Sequence, residues 1–396
     1  SWHRTATTTR QHDNMTTLQL NAATLGFATA FAASCHTPTP PSPRPSTAVL
    51  APQLAAAPGW TATIALDLGS TGIWTTKVLD VFERYGGQEV VALDDTGKCH
   101  VLVQYAGRWT DHLAGHDTTW FGGLTHGDVD ARKPGRELYV GAASGRVWQI
   151  TPQPEGVLDA NVIAELDGAE VHTVVALDGE LLAFTSPGAL WRLRAPREGT
   201  RFEARKVAAT GGRVRDAVKL AGGELALVSR EGTLEVRRLE ALEQPGEVAL
   251  RVEGGLGRVA ASASGVLYAV SDDGVVWRCE RVNAQWRTER IFVGPQGLRG
   301  IVTGRFSAPA PSEQLAVFGY SGDVVLLSRL DTGAWSAETI FTDRERGHWL
   351  GVGELDERNA TDELVGSGYG ARVFVLAREP GYGVPTAASN PLPARQ

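Results

Sequence analysis

Between residues 60 and 380 the apolar positions come in short runs that alternate with polar ones, and no window sustains an apolar period of 3.6 residues. The runs are rich in Val, Leu and aromatics and are bounded by glycine, which predicts strands. One phrase returns seven times: an acidic or polar residue, a β-run, a turn closing on glycine, and a second β-run. It starts at Glu89, Glu137, Glu180, Glu224, Val266, Gln314 and Glu363, at intervals of 48, 43, 44, 42, 48 and 49 residues. It closes on Gly97, Gly145, Gly188, Gly232, Gly274, Gly322 and Ala371. Recurrence at about 40–50 residues with only β-signals inside each unit is the mark of a β-propeller. The predicted fold class is all-β, a seven-bladed β-propeller.

Each unit expands into a blade. A short apolar run before the phrase supplies the inner strand, and the phrase itself is a hairpin of the second and third strands. Third strands are predicted to start at Arg146, Ala189, Val275, Asp323 and Arg372. An outer strand follows in most units and often opens on tryptophan, as at Trp109, Trp286 and Trp335. Unit 7 has no such strand after it, but Trp60-TATIALDL ahead of unit 1 has the same wording. It is therefore expected to close the seventh blade as its outer strand, leaving the ring no open edge. Units 1, 2, 6 and 7 insert a longer loop between the first and second strands, whereas units 3, 4 and 5 use a tight turn such as Leu177-Asp178-Gly179.

The domain reading follows: a leader over 1–34, a Pro-rich tether over 35–58, the propeller over 59–380 and a tail over 381–396. From Met15, the only methionine, an apolar stretch of small residues runs to Cys35 and is followed by HTPTPPSPRPS. This resembles a bacterial lipoprotein signal, which implies export, lipidation of Cys35 and membrane attachment through that anchor alone. The remaining cysteines, Cys99 and Cys279, fall on third strands of blades 1 and 5, which are not neighbours, so no disulfide between them is expected. With 45 acidic against 38 basic residues there is no basic stripe of the kind nucleic acid requires. The chain is expected to be monomeric.

Two sets of residues carry candidate chemistry. Gly127-Asp128-Val129-Asp130 and Gly353-Glu354-Leu355-Asp356, each followed by a β-run, resemble the loops of FG-GAP/VCBS-type repeats. In that family clustered loop oxygens often hold Ca²⁺, so the resemblance implies Asp80, Asp128 and Asp130 as metal ligands, with Ala131-Arg132 standing where a further acid belongs. No other cofactor is implied.

Aligning the inner strands gives the second set. Near the start of each lies His172, Arg215, Arg258, Arg299 or His348, with Trp74 and Gly122 in the equivalent places of blades 1 and 2 and Arg258 displaced by one residue. Inner strands converge on the central channel, so these side chains form a cationic ring at one mouth, with Trp120, Phe121 and Trp349 close by for stacking. Arginine forks suit carboxylate or phosphate. The expected ligand is an anionic carbohydrate, another small anion or an envelope protein. Were the chain an enzyme, His172 or His348 would remove a proton alpha to a carboxylate that arginine neutralises, which is lyase, isomerase or dehydratase chemistry on an acidic sugar. An interaction scaffold is the third reading. No Ser-His-Asp order, Gly-rich phosphate loop or HExxH occurs.

Overall fold

The structure is a computed structural model that describes residues 53–82, 87–133, 135–153, 156–308, 313–356 and 360–380. The leader, Cys35, most of the tether and the tail lie outside the described residues. Seven antiparallel sheets form, six of four strands and one of five. The inner strands of blades 1 to 7 are Ile73–Leu79, Phe121–Gly127, Val171–Leu177, Val214–Leu220, Leu256–Ala261, Leu298–Thr303 and Gly347–Gly353. Each touches the inner strand of the next blade, and Gly347–Gly353 touches Ile73–Leu79, so the ring is closed. Third strands start at Arg146, Ala189, Val275, Asp323 and Arg372, the residues at which the pattern breaks from turn to β-run.

Blades 2, 3 and 4 also have outer strands, Leu158–Glu165, Glu203–Ala209 and Glu247–Arg251, none opening on tryptophan. Their faces are largely solvated, so the apolar pattern that marks an inner strand is weak there. The turn that ends each phrase demands a left-handed residue. Gly274 has φ +88° and a Cβ there would lie 2.5 Å from two carbonyl oxygens. Ala371 occupies the same turn of blade 7 at φ 61°.

Closure occurs where the tryptophan wording placed it. Trp60–Asp67 pairs antiparallel with Arg372–Arg378, from Trp60 opposite Arg378 to Asp67 opposite Arg372. Gln53–Leu54, assigned to the tether from sequence, adds a fifth strand outside Trp60–Asp67. Ala56 bridges Phe341, so this segment also reaches the outer strand of blade 6, Trp335–Thr342. A short apolar dipeptide next to proline gives no strand signal by itself; its pairing is decided by the edge it meets.

The core is divided among the blade-to-blade contacts. One cluster joins Leu93 and Val101 of blade 1 to Phe121 and Leu138 of blade 2. Another joins Phe318 and Ile340 of blade 6 to Phe374, Leu376 and the closing Trp60. Cys99 and Cys279 are each fully buried in such clusters as free thiols.

Trp60 is 4% exposed and is the bulkiest link between the closing strand and the blade 6 core. Trp60→Ala should lower unfolding free energy by about 3–5 kcal/mol, read from urea denaturation. A loss below about 1 kcal/mol would show that the ring holds without this strand.

Candidate functional site

Every inner strand carries a β-bulge at its first turn of pairing. Register slips by one residue between Ile73 and Thr75, Phe121 and Gly123, Val171 and Thr173, and Val214 and Asp216. It slips again between Leu256 and Val259, Leu298 and Gly300, and Gly347 and Trp349. The residue before each slip in blades 1 to 6 is a buried apolar anchor, from Ile73 to Leu298. The extra residue leaves the ladder and is re-aimed by the bend. Trp74, His172, Arg215, Arg299 and His348 are the bulged residues, and all five line one cavity of about 320 Å³ at the channel mouth.

Blade 5 departs from this pattern. Its bulge spans both Gly257 and Arg258. A Cβ on Gly257 would meet Leu298 O at 2.8 Å and Arg299 Cα at 3.3 Å; one on Gly122 would meet Val171 O at 2.7 Å and His172 Cα at 3.2 Å. Gly257 therefore holds the ring place, and Arg258 lies one residue deeper, on the wall of both the mouth cavity and a second cavity within the channel. Trp349 belongs to that deeper cavity and not to the mouth, with its ring 4.1 Å beneath the Arg258 guanidinium. Phe121 is a core residue.

The mouth has two halves. Blades 1, 2, 6 and 7 give an aromatic arc in which Trp74 stacks on Trp120 at 5.8 Å and meets His348 and Tyr369 edge-on at 4.8 and 5.8 Å. Tyr320 continues it, 6.0 Å from Tyr369. Blades 4, 5 and 6 give the cationic arc of Arg213, Arg215, Arg258 and Arg299, with Arg230 at the rim. Among the described residues no carboxylate lines the cavity. Asp272 ties two of these arginines together, accepting from Arg215 Nη1 at 2.9 Å and pairing with Arg299 Nη1. Asp216 accepts the Ala217 and Val259 amides at 3.0 and 3.2 Å.

Both histidines are neutral by environment. Arg213 Nη2 donates to His172 Nδ1 at 2.8 Å, so Nε2 carries the proton and donates to Glu170 at 3.0 Å. Burial, and then the positive charge of Arg213, press the His172 pKa down to about 4. His348 donates Nδ1–H to Trp74 O at 2.8 Å, leaving its lone pair on Nε2, and burial followed by Arg258 presses its pKa down to about 3. Burial and the neighbouring arginines likewise lower Arg258 to about 10 against the opposing field of Asp216. Three buried donors on this cavity, Trp74 Nε1, Arg213 Nε and Arg258 Nε, have no hydrogen-bond partner among the described residues. A buried donor left unpaired is costly, and an acceptor-rich guest removes that cost.

The residues that the family resemblance implied for Ca²⁺ do not fit a cation. Asp130 is buried with both carboxylate oxygens taken by Arg132, Nε at 2.7 Å and Nη2 at 2.7 Å. Asp80 and Asp128 are exposed. Among the described residues no group of three or more His, Cys, Asp or Glu is arranged to hold a metal ion. The loops are tied another way, by the residue that opens each phrase. Glu89 accepts the Val81 and Phe82 amides at 2.8 and 3.2 Å, and Glu363 accepts those of Leu355 and Asp356 at 2.8 and 3.3 Å. Gln314 accepts Phe306 N–H at 3.0 Å, and Glu137 accepts Val129 N–H at 3.4 Å. These are the four units with an inserted loop.

Arg213, Arg230, Tyr320 and Tyr369 were missed from sequence. Arg213 sits two residues before Arg215, and the tyrosines sit in the second-to-third-strand turns of blades 6 and 7, which fold over the same mouth.

No protein-family model matches the chain, and no curated protein matches it. Among solved structures, the WD40 β-propeller domain of Doa1 superposes with a TM-score of 0.57 at 12% identity, over 81% of this chain and 100% of that one. A streptogramin B lyase structure superposes with a TM-score of 0.59 at 7% identity, over 81% and 98%. These likenesses show the fold: the chain is a seven-bladed β-propeller.

A base whose folded pKa is depressed is neutral in the fold but protonated in the unfolded chain between the two values. Stability from His172 and His348 is thus fully present above about 6.5 and lost as pH falls toward about 4 and about 3. Urea unfolding at pH 7.5 and 4.5 should show wild type losing more stability on acidification than the His172→Gln/His348→Gln protein. Equal losses would mean that neither imidazole is held neutral.

Proposed function

We propose that this is an exported, lipid-tethered and monomeric propeller of FG-GAP kind whose mouth cavity recognises an anionic ligand bearing a ring, such as a uronic acid or a sugar phosphate. The observation that carries the reading is a cavity lined by five arginines and, among the described residues, no carboxylate, with an aromatic arc facing them. Guanidinium forks take a carboxylate or phosphate in two parallel hydrogen bonds, and indole and phenol faces take the flat side of a sugar or aromatic ring. The three unpaired donors favour a guest made of acceptors. Export and lipid attachment rest on the stretch from Met15 to Cys35 and the Pro-rich segment after it.

Binding is favoured over elimination. His172 has both ring nitrogens engaged, one accepting from Arg213 and one donating to Glu170, so it has no free lone pair with which to take a proton. His348 keeps a lone pair on Nε2, which makes it the sole histidine of the pair suited to the lyase or isomerase alternative. A protein partner would use the same mouth only through an acidic side chain.

Calorimetric titration should give binding of galacturonate oligomers or a sugar phosphate, and none of the neutral sugar of equal size. Arg213→Met or Arg258→Met should weaken it about 10- to 100-fold, the worth of one charge-assisted hydrogen bond of about 1.5–3 kcal/mol. Neutral sugars binding as well as anions, or anions binding the Arg213→Met/Arg258→Met protein undiminished, would refute the reading.

A further inference from the structure

Beneath the mouth, a cavity of about 270 Å³ lies between inner strands of blades 1, 4, 5, 6 and 7. Its charged groups are Lys77, Asp216 and Arg258. Lys77 is unlike the other four lysines of the chain. Lys98, Lys206 and Lys219 are exposed, and Lys133 is spent on Thr151 Oγ1 at 2.8 Å. The Lys77 amine enters the channel, with the Trp349 ring 6.0 Å away, and among the described residues it makes no hydrogen bond and no ion pair. Asp216 is fixed on the same wall by the Ala217 and Val259 amides. Arg258 spans both cavities and carries an unpaired Nε.

An amine, an arginine fork, a carboxyl group and an indole face around one small cavity form a set suited to covalent capture of a carbonyl compound. We propose that Lys77 forms a reversible imine with a small carbonyl acid, an aldehyde or ketone that also bears a carboxylate, and that Arg258 holds the carboxylate. The amine nitrogen forms a bond to the carbonyl carbon, and the carbonyl oxygen takes up the proton that nitrogen releases. The carbinolamine's hydroxyl takes a proton from Asp216 and leaves as water, the nitrogen lone pair forms the C=N bond, and the proton remaining on nitrogen returns to Asp216. No oxidant or reductant is needed, and water reverses the step.

The electrostatics agree. Burial lowers the Lys77 pKa against the opposing field of Asp216, with a smaller push from Arg258, so more of the amine is free to attack than in an exposed lysine. Burial raises the Asp216 pKa against the fields of Arg258 and Lys77, which favours the protonated form that a departing hydroxyl requires. His126 also feels the Lys77 charge, and its own pKa is lowered first by burial.

The test needs no variant for its main readout. The full-length protein is incubated with glyoxylate and cyanoborohydride, which delivers hydride to the imine carbon and leaves a carboxymethyl amine, and its five lysines are mapped by peptide mass spectrometry. Lys77 should carry the adduct in about tenfold excess over Lys98, Lys206 and Lys219, and Arg258→Met should remove most of that excess. Formaldehyde, which lacks the carboxylate, should show no preference for Lys77 of that size. Adducts spread over the exposed lysines with Lys77 unmodified would overturn the proposal. An equal preference for Lys77 with formaldehyde and with glyoxylate would overturn the role of Arg258. Neither outcome depends on whether uronates bind at the mouth.

Discussion

The pairing of Trp60–Asp67 with Arg372–Arg378 makes the ring a ring, because it sews the two ends of the described chain into one blade. A propeller blade buries its faces only against its neighbours, so each interface cluster depends on the next being present. Closure fixes the tilt and spacing of all seven inner strands. It thereby sets where their first residues converge, and a bulge at the same place in each strand turns those residues toward one mouth. The site is a consequence of topology before it is a consequence of any single side chain.

The residues gathered there oppose the rest of the molecule electrically. The chain carries a formal net charge of −7, yet its mouth cavity collects five arginines. Packing guanidinium groups together raises their mutual repulsion, and Arg258 records it in a pKa pressed down to about 10 by burial and by Arg215, Arg299 and Arg213. Asp272 relieves the strain for Arg215 and Arg299 only. Arg213 and Arg258 keep unpaired Nε donors. A guest that accepts hydrogen bonds would satisfy both.

The architecture was legible because the constraint repeats. A single turn glycine means little, but the same turn at Gly97, Gly145 and Gly274 fixes seven hairpins, and the tryptophan opening of three outer strands was enough to recognise Trp60 as a fourth. The ring residues were legible for the same reason: His172, Arg215, Arg299, His348 and Trp74 follow an apolar anchor or its equivalent by one place. Arg258 lines the same mouth from one residue deeper, because the blade 5 bulge takes up two residues and Gly257, lacking a side chain, holds the ring place. Arg213, Tyr320, Tyr369 and Lys77 were not legible, since they reach the channel from turns or from deeper strand positions that no local pattern marks. The partners of the loop acids were not legible. Asp130 has the spacing of a cation ligand, but two residues on Arg132 supplies the charge instead, and Glu89, Gln314 and Glu363 satisfy loop amides from the strand side.

The most direct measurement is a crystal structure grown with 4-iodobenzoate, a ring bearing one carboxylate and an anomalous scatterer. The expected result is iodine density in the mouth, with the carboxylate on Arg213 or Arg258 and the ring against Trp74. A mouth holding only solvent, with the iodine elsewhere on the surface, would contradict the claim that this ring of arginines is built to receive an anion.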